Sequence, residues 1–311
     1  MQIIDFHCDT ILHLMDQPHL NLYCNDLSVD VEKLKMGNSL AQFFALYIDL
    51  AMQQNPLQYC LRMVDTFHRE IEINNNHIAL ARNYQEMCLN QQAGKISAFL
   101  TIEEGGVLQG RLENLRNFYR LGVRLLTLTW NYPNEIGCPN CKEKYEIQGL
   151  TDFGKQVVAE MNRLGMIIDV SHLSDQGFHD VATLSKQPFV ASHSNARTIR
   201  DHRRNLTDNM IRLLAQKGGI MGINFSGNFL AGSAWSKVDD MVRHIQHIVR
   251  VGGIDVVALG TDFDGIEYDL EIATIGEIDK LVRALSHSGF STDDIEKICF
   301  KNALRVIKEC L

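Results

Sequence analysis

MQIIDFHCDT, residues 1–10, is a short apolar run that ends in His7 and Asp9. Side chains alternate across a strand with period two, so this spacing predicts both groups on one face. An imidazole nitrogen and a carboxylate oxygen placed that way chelate Zn²⁺ or a similar divalent ion when other elements bring further ligands. His-x-Asp alone is a weak motif, and its plain alternative is an N-terminal barrel strand with a buried polar pair. Weight comes from four later strands that end in the same chemistry.

Outward from this stretch, seven more apolar runs read as strands: AQFFALYI (41–48), KISAFLTIE (95–103), VRLLTLTW (123–130), MIIDVSH (166–172), PFVASHS (188–194), GGIMGINFS (218–226) and VVALGTDFDG (256–265). The second is almost continuously apolar, as befits a strand covered on both faces. Helical segments separate the runs. They are expected over 56–75 with Pro56 in the first turn, over 112–121, from Asp152 with Thr151 as cap, after the cap Ser174, after Thr207, over 239–251, and over 275–287 and 292–309. Residues 12–36 read as an irregular connection walling the site, with a short helix near 28–34. Strands alternating with helices imply parallel strands joined by helical crossovers. A closed (β/α)₈ barrel fits best. An open doubly wound sheet would announce itself with a glycine-rich turn after its first strand, and HCDT has none.

The chain has 311 residues, which suits one barrel domain over residues 1–311, since such barrels run to about 250 residues before insertions. With 45% hydrophobic and 22% charged residues the composition is that of a globular protein. A net charge of −8, with Lys and Arg dispersed, argues against a nucleic-acid partner. Neither a secretory signal nor an apolar run of the ~18 residues a membrane span needs is evident, so a cytoplasmic location without membrane association is expected. Among eight cysteines, Cys60, Cys88, Cys299 and Cys310 lie in hydrophobic segments and read as reduced core thiols. Cys138 and Cys141 form a CxxC that lacks a second CxxC, a histidine pair or a redox βαβ context. An ordinary reduced loop is the expectation there.

In a barrel the active site is built at the carboxyl ends of the strands. Strand one ends in His7 and Asp9, strand three in Glu103 and Glu104, strand five in His172, strand six in His193, and strand eight in Asp262 and Asp264. Any one could be a hydrogen-bonded cap; five together point to a metal centre. His7, Asp9, His172, His193 and one shared glutamate make five ligands, too many for one tetrahedral zinc, whereas two ions sharing a carboxylate use them all. Two such ions about 3.5–4 Å apart would hold a bridging hydroxide and clamp a substrate carbonyl, leaving Asp262 free to move protons.

The ordered set DFHCD, TIEEGG, IIDVSH, ASHS, Arg203-Arg204-Asn205 and GTDFDG resembles the membrane (renal) dipeptidases, peptidase family M19, over nearly the whole chain. The resemblance implies a binuclear zinc dipeptidase on a (β/α)₈ barrel, with two Zn²⁺ per chain or other divalent ions in their place. It also implies acceptance of dipeptides with a C-terminal D residue. By the same resemblance His7, Asp9 and the bridging glutamate hold one ion, and His172, His193 and that glutamate the other. Asp262 matches the proton-transferring aspartate and Arg204 the arginine that binds the substrate's terminal carboxylate. Two positions depart from the pattern. A Glu-Gly-Gly context would select Glu104 as the bridge, while an ungapped count back from LGVRLLTLTW selects Glu103, the residue that ends the strand and the one preferred here. Where mammalian members carry a substrate-contacting histidine, this chain has Trp130 and Asn131, which are assigned to substrate binding. The secretion and lipid-anchor signals of the membrane-bound members are missing, as in a soluble microbial relative.

The expected reaction is hydrolysis of a dipeptide's peptide bond by a metal-bridging hydroxide, with Asp262 passing a proton to the leaving amine. No Gly-x-Ser-x-Gly elbow competes. The rivals are another metal-dependent barrel hydrolase (a deaminase, lactonase or phosphotriesterase), typically opening with His-x-His, and a metal-binding module without catalysis, which would not need Asp262. The partner is a small dipeptide; a homodimer is compatible with the sequence, which sets no oligomeric state.

Overall fold

In the computed structural model, which describes residues 1–267 and 269–311, eight parallel strands close into a barrel. They are β1 (Ile3–Cys8), β2 (Ser39–Tyr47), β3 (Ile96–Glu103), β4 (Val123–Thr127), β5 (Ile167–Asp169), β6 (Val190–Ala191), β7 (Ile220–Ile223) and β8 (Val257–Leu259). Each pairs with its neighbours in sequence, and β8 returns to β1 through Asp5 and Leu259. Helices between the strands form the outer layer, so this is a (β/α)₈ TIM-like barrel.

The apolar runs are continuous because both strand faces are covered. On β2 and β3, Phe43 and Phe99 point into the barrel, while Phe44 and Leu100 pack outward under the helices. Phe6, Phe43 and Phe99 stack across three neighbouring strands, with ring centroids 4.2 and 4.6 Å apart. Leu125, Ile167, Val190 and Ile220 complete this floor, and Ala303, Val306 and Ile307 of the last helix, Asn302–Cys310, seal it from below. The floor is filled by buried apolar side chains, which leaves the opposite end of the barrel for chemistry.

Several helix starts follow their capping chemistry. Thr151, Ser174 and Thr207 accept the backbone N–H of Gly154, Gly177 and Met210, and Pro56 opens the helix Pro56–Ile73 behind the cap Asn55. Elsewhere the structure corrects the reading. Residues 12–36 are not simply irregular: a helix, Thr10–Asp16, follows β1 directly, and the second helix is Val31–Met36. A short strand, Ile78–Leu80, and a helix, Tyr84–Gln92, lie between β2 and β3 where the apolar pattern marks no element. That strand pairs with the first half of β3, below the point where β4 joins it at Leu100. The run 292–309 is broken by a π-helical turn, Lys297–Lys301. Strands β4 to β8 are also shorter than their apolar runs, so His172, His193 and Asp262 stand in the loops just past the strand ends. Among the described residues, no helix is long and apolar enough to cross a membrane.

Candidate active site

His7 and Asp9 do not share a face through simple alternation. The pairing of β1 with β2 slips between Asp5 and Cys8, and β1 ends before Asp9, which instead precedes the helix Thr10–Asp16. A register slip of this kind re-aims a side chain: Phe6 stacks into the floor while its neighbour His7 joins the site above. Asp9 Oδ2 still lies 3.4 Å from His7 Nε2. The loop after β8 is bound to β1 beyond their regular pairing, with the N–H of Asp262 donating to the carbonyl of His7 (3.2 Å) and the N–H of Asp9 to that of Phe263 (2.9 Å). This brings Asp262 Oδ1 to 3.8 Å from His7 Nε2. Gly265 is required by this approach, because a Cβ there would collide with the Asp9 carboxylate.

Glu103 is the hub. Its Oε2 lies 3.3 Å from His7 Nε2, and its Oε1 lies 2.9 Å from His172 Nε2 and 3.4 Å from His193 Nε2. Glu104 turns away at φ 128°, and its carboxylate accepts from the backbone N–H of Gly106 and Trp130 and from the Asn134 amide. Of the two adjacent glutamates, only Glu103 thus meets the three histidines. Of the six non-glycine residues with positive φ among the described residues, four (Glu104, His172, Asp262, Asp264) sit at the strand ends. Backbone strain of this kind persists where surrounding contacts over-determine it, as at functional sites.

The donor set is under-satisfied without a cation. His7 is fully buried, yet among the described residues neither ring nitrogen has a hydrogen-bond partner, and Asp9 Oδ1 has none either. The Nε2 atoms of His172 and His193 face each other at 3.0 Å. Ser192 gives its only proton to Asp169 Oδ2 (2.6 Å), so its oxygen accepts from His193 Nδ1 at 2.7 Å and leaves His193 Nε2 bare. Burial, with the Arg204 charge, drives His172 down to about 4, so it is neutral at pH 7. Bare imidazole nitrogens converging on carboxylates are a divalent-metal donor set. His7, Glu103 and His193 form one cluster that could hold an ion, and His7, Asp9 and Asp262 form another. Burial pushes Asp262 up to about 7, and its Oδ2 accepts from Asn224 Nδ2 at 2.7 Å.

Beyond the cluster opens a cavity of about 710 Å³, lined by Asn131, His172, Arg204 and Phe229 among others. Arg204 is only 4% exposed. Its partners among the described residues are neutral: it donates to Ser194 Oγ (3.5 Å) and the His193 carbonyl (3.2 Å), Nε has no partner, and the guanidinium lies 5.3 Å from the Phe229 ring centroid. The adjacent Arg203 is committed to Glu146 at 2.7 Å. Trp130 packs edge-on against Tyr47 (4.8 Å between centroids), and Asn131 Oδ1 lies 3.2 Å from His172 Nδ1. Asp169, fully buried, accepts from Thr127, Ser171 and Ser192 and so ties three strand ends together. Its signal, the Asp of IIDVSH, was readable as a strand residue but not as this tie. All eight cysteines are free, though Cys88 is only partly buried, and in the CxxC Cys138 Sγ meets Gln148 while Cys141 Sγ donates to the Asn131 carbonyl.

A profile for the membrane dipeptidases (peptidase family M19) matches residues 1–310. The chain belongs to this family. An uncharacterized dipeptidase of Schizosaccharomyces pombe is 31% identical over 297 residues, covering 90% of this chain and 71% of that one. The solved structure of dipeptidase AC, an M19 metallopeptidase, superposes with a TM-score of 0.93 at 27% identity, over 100% of this chain and 98% of the other. A metallopeptidase of Rhodobacter sphaeroides, liganded with a phosphinate mimic of the dipeptide L-Ala-D-Ala, also gives 0.93 at 26% identity, over 100% and 99%. The M19 barrel of this chain is that of a metal-dependent dipeptidase, a peptide-bond hydrolase.

Proposed function

We propose that this chain is a binuclear zinc dipeptidase that accepts a D residue at the carboxyl-terminal position. The observation that carries the reading is the Glu103 carboxylate, whose two oxygens face three buried histidines at 2.9–3.4 Å beneath a cavity holding an uncommitted arginine. His7, Asp9 and Glu103 would hold one ion, and His172, His193 and Glu103 the other. When bound, the metal pair supplies an activated water and polarises the scissile carbonyl.

The protein's own residues do the rest. Arg204 presents a permanently charged fork to the substrate's terminal carboxylate, and its fixed distance from the cluster selects dipeptides over longer chains. Asp262, oriented by Asn224, would take a proton from the attacking water and pass it to the leaving amine. Phe229 lines the cavity that would take the substrate's side chains, and Trp130 stands beside His172 of the same lining, with ring centroids 6.2 Å apart. Tolerance of a D residue is supported by the Rhodobacter sphaeroides relative, whose ligand mimics L-Ala-D-Ala.

A panel of L,L- and L,D-dipeptides, assayed on purified protein with and without Zn²⁺, tests the reading. Zinc-dependent turnover of L-Ala-D-Ala is expected. Rejection of every L,D-dipeptide alongside turnover of a lactone or nucleobase would instead support the amidohydrolase alternative.

A further inference from the structure

His193 has its tautomer fixed by Ser192 and Asp169, but His172 has no such pair. Its Nδ1 faces Asn131 Oδ1 at 3.2 Å. For His172 Nε2 to offer a lone pair to a cation, the ring proton must sit on Nδ1, and Nδ1–H then needs an acceptor. Only the oxygen of the Asn131 carboxamide serves, since its NH₂ would force the opposite tautomer and put a proton on Nε2. The main chain of His172 is under separate control. It stands at φ 68°, a conformation costly for a non-glycine residue, and its carbonyl accepts from the N–H of Asn140 at 2.7 Å. The carbonyl of Cys138 accepts from Ser174 N–H (3.0 Å), and Pro139 bridges Leu173 in an antiparallel pair. Asn131 is in turn held to this stretch by Cys141, whose Sγ lies 3.1 Å from the Asn131 carbonyl. The segment from Asn131 to Cys141 thus grips the ring, the carbonyl and the following turn of one histidine.

We infer that Asn131 is a positioning residue that fixes the Nδ1–H tautomer of His172, and that the Asn131–Cys141 loop serves to present this histidine to the metal. The inference rests on the binuclear reading above and replaces the substrate contact expected of Asn131. Outer partners of a metal-bound histidine typically change metal affinity by about 10- to 100-fold when removed.

The test uses full-length protein stripped with a chelator and titrated with Zn²⁺ against a chromophoric competitor. In wild type two ions are expected. In Asn131→Leu, of similar size but without an acceptor, one of the two should bind about 10- to 100-fold more weakly while the other is unchanged. Asn131→Asp, which keeps an oxygen toward Nδ1, should match or exceed the wild-type affinity for both ions. Unchanged affinity for both ions in Asn131→Leu, with a raised KM, would overturn the inference and return Asn131 to substrate binding. If the leucine variant does not fold, the aspartate variant decides: loss of an ion there contradicts the assignment. A wild type that binds no zinc refutes the binuclear reading itself, and the inference with it.

Discussion

Replacing Arg204 with alanine separates substrate recognition from scaffold. Arg204 is 4% exposed, and among the described residues its guanidinium makes only long bonds to neutral oxygens, at 3.2 and 3.5 Å, with Nε unpaired. A buried charge so weakly partnered adds little to stability, because its desolvation is not offset by an opposite charge. Burial indeed draws its pKa down, though arginine stays charged. The alanine variant should therefore unfold within about 1 kcal/mol of wild type, the main loss being packing on Phe229. Activity should behave differently. A charge-assisted hydrogen bond is worth ~1.5–3 kcal/mol, and tenfold corresponds to about 1.4 kcal/mol, so kcat/KM on free dipeptides should fall about 10- to 150-fold. The matching dipeptide amide has no carboxylate to bind, and it should be a poor substrate for wild type and little altered by the mutation. The assay is amine release from L-Ala-D-Ala and its amide, run in parallel on both proteins at saturating zinc. Equal losses on the two substrates would falsify the assignment and make Arg204 a support for the site's architecture.

Glu103→Gln should lose bound metal, because an amide cannot place negative charge between two cations. Glu104→Gln should keep it while losing ~1–3 kcal/mol of stability, since its carboxylate answers the Gly106, Trp130 and Asn134 donors; elemental analysis with thermal unfolding reads both, and the reverse pattern of zinc content would make Glu104 the bridging ligand. Asp262→Asn should retain both ions and lower kcat by about 10²–10⁴, the span of a general acid or base; loss of zinc would instead make Asp262 a ligand. Gly265→Ala forces a methyl group into the Asp9 carboxylate and should cost ~1–3 kcal/mol and weaken one ion, which unchanged zinc titrations and melting temperature would disprove.

The barrel was legible because its strands are covered on both faces and their apolar runs are nearly unbroken; β2 and β3 could hardly read otherwise. Site placement followed from where the polar residues stop those runs, and His7, Glu103, His172, His193 and Asp262 do converge. What was illegible depends on contacts distant in sequence. Asp9 reaches His7 through a register slip and a helix start, which period-two reasoning cannot foresee. The helix Tyr84–Gln92 buries only Met87, so its sequence carries no apolar stripe to read. Asp169 looked like one more strand residue because its role, tying Thr127, Ser171 and Ser192, exists only once three strands are adjacent. The Glu103/Glu104 ambiguity had the same root: a positive φ at Glu104 sends the two carboxylates to different partners, and nothing local announces it.

The most direct test of the central claim is a zinc titration of the stripped protein, with L-Ala-D-Ala hydrolysis measured at each step. The account predicts no turnover without metal and activity that rises until two equivalents per chain are bound. Full turnover by the stripped protein, or saturation of binding with no dipeptide cleaved, would contradict it.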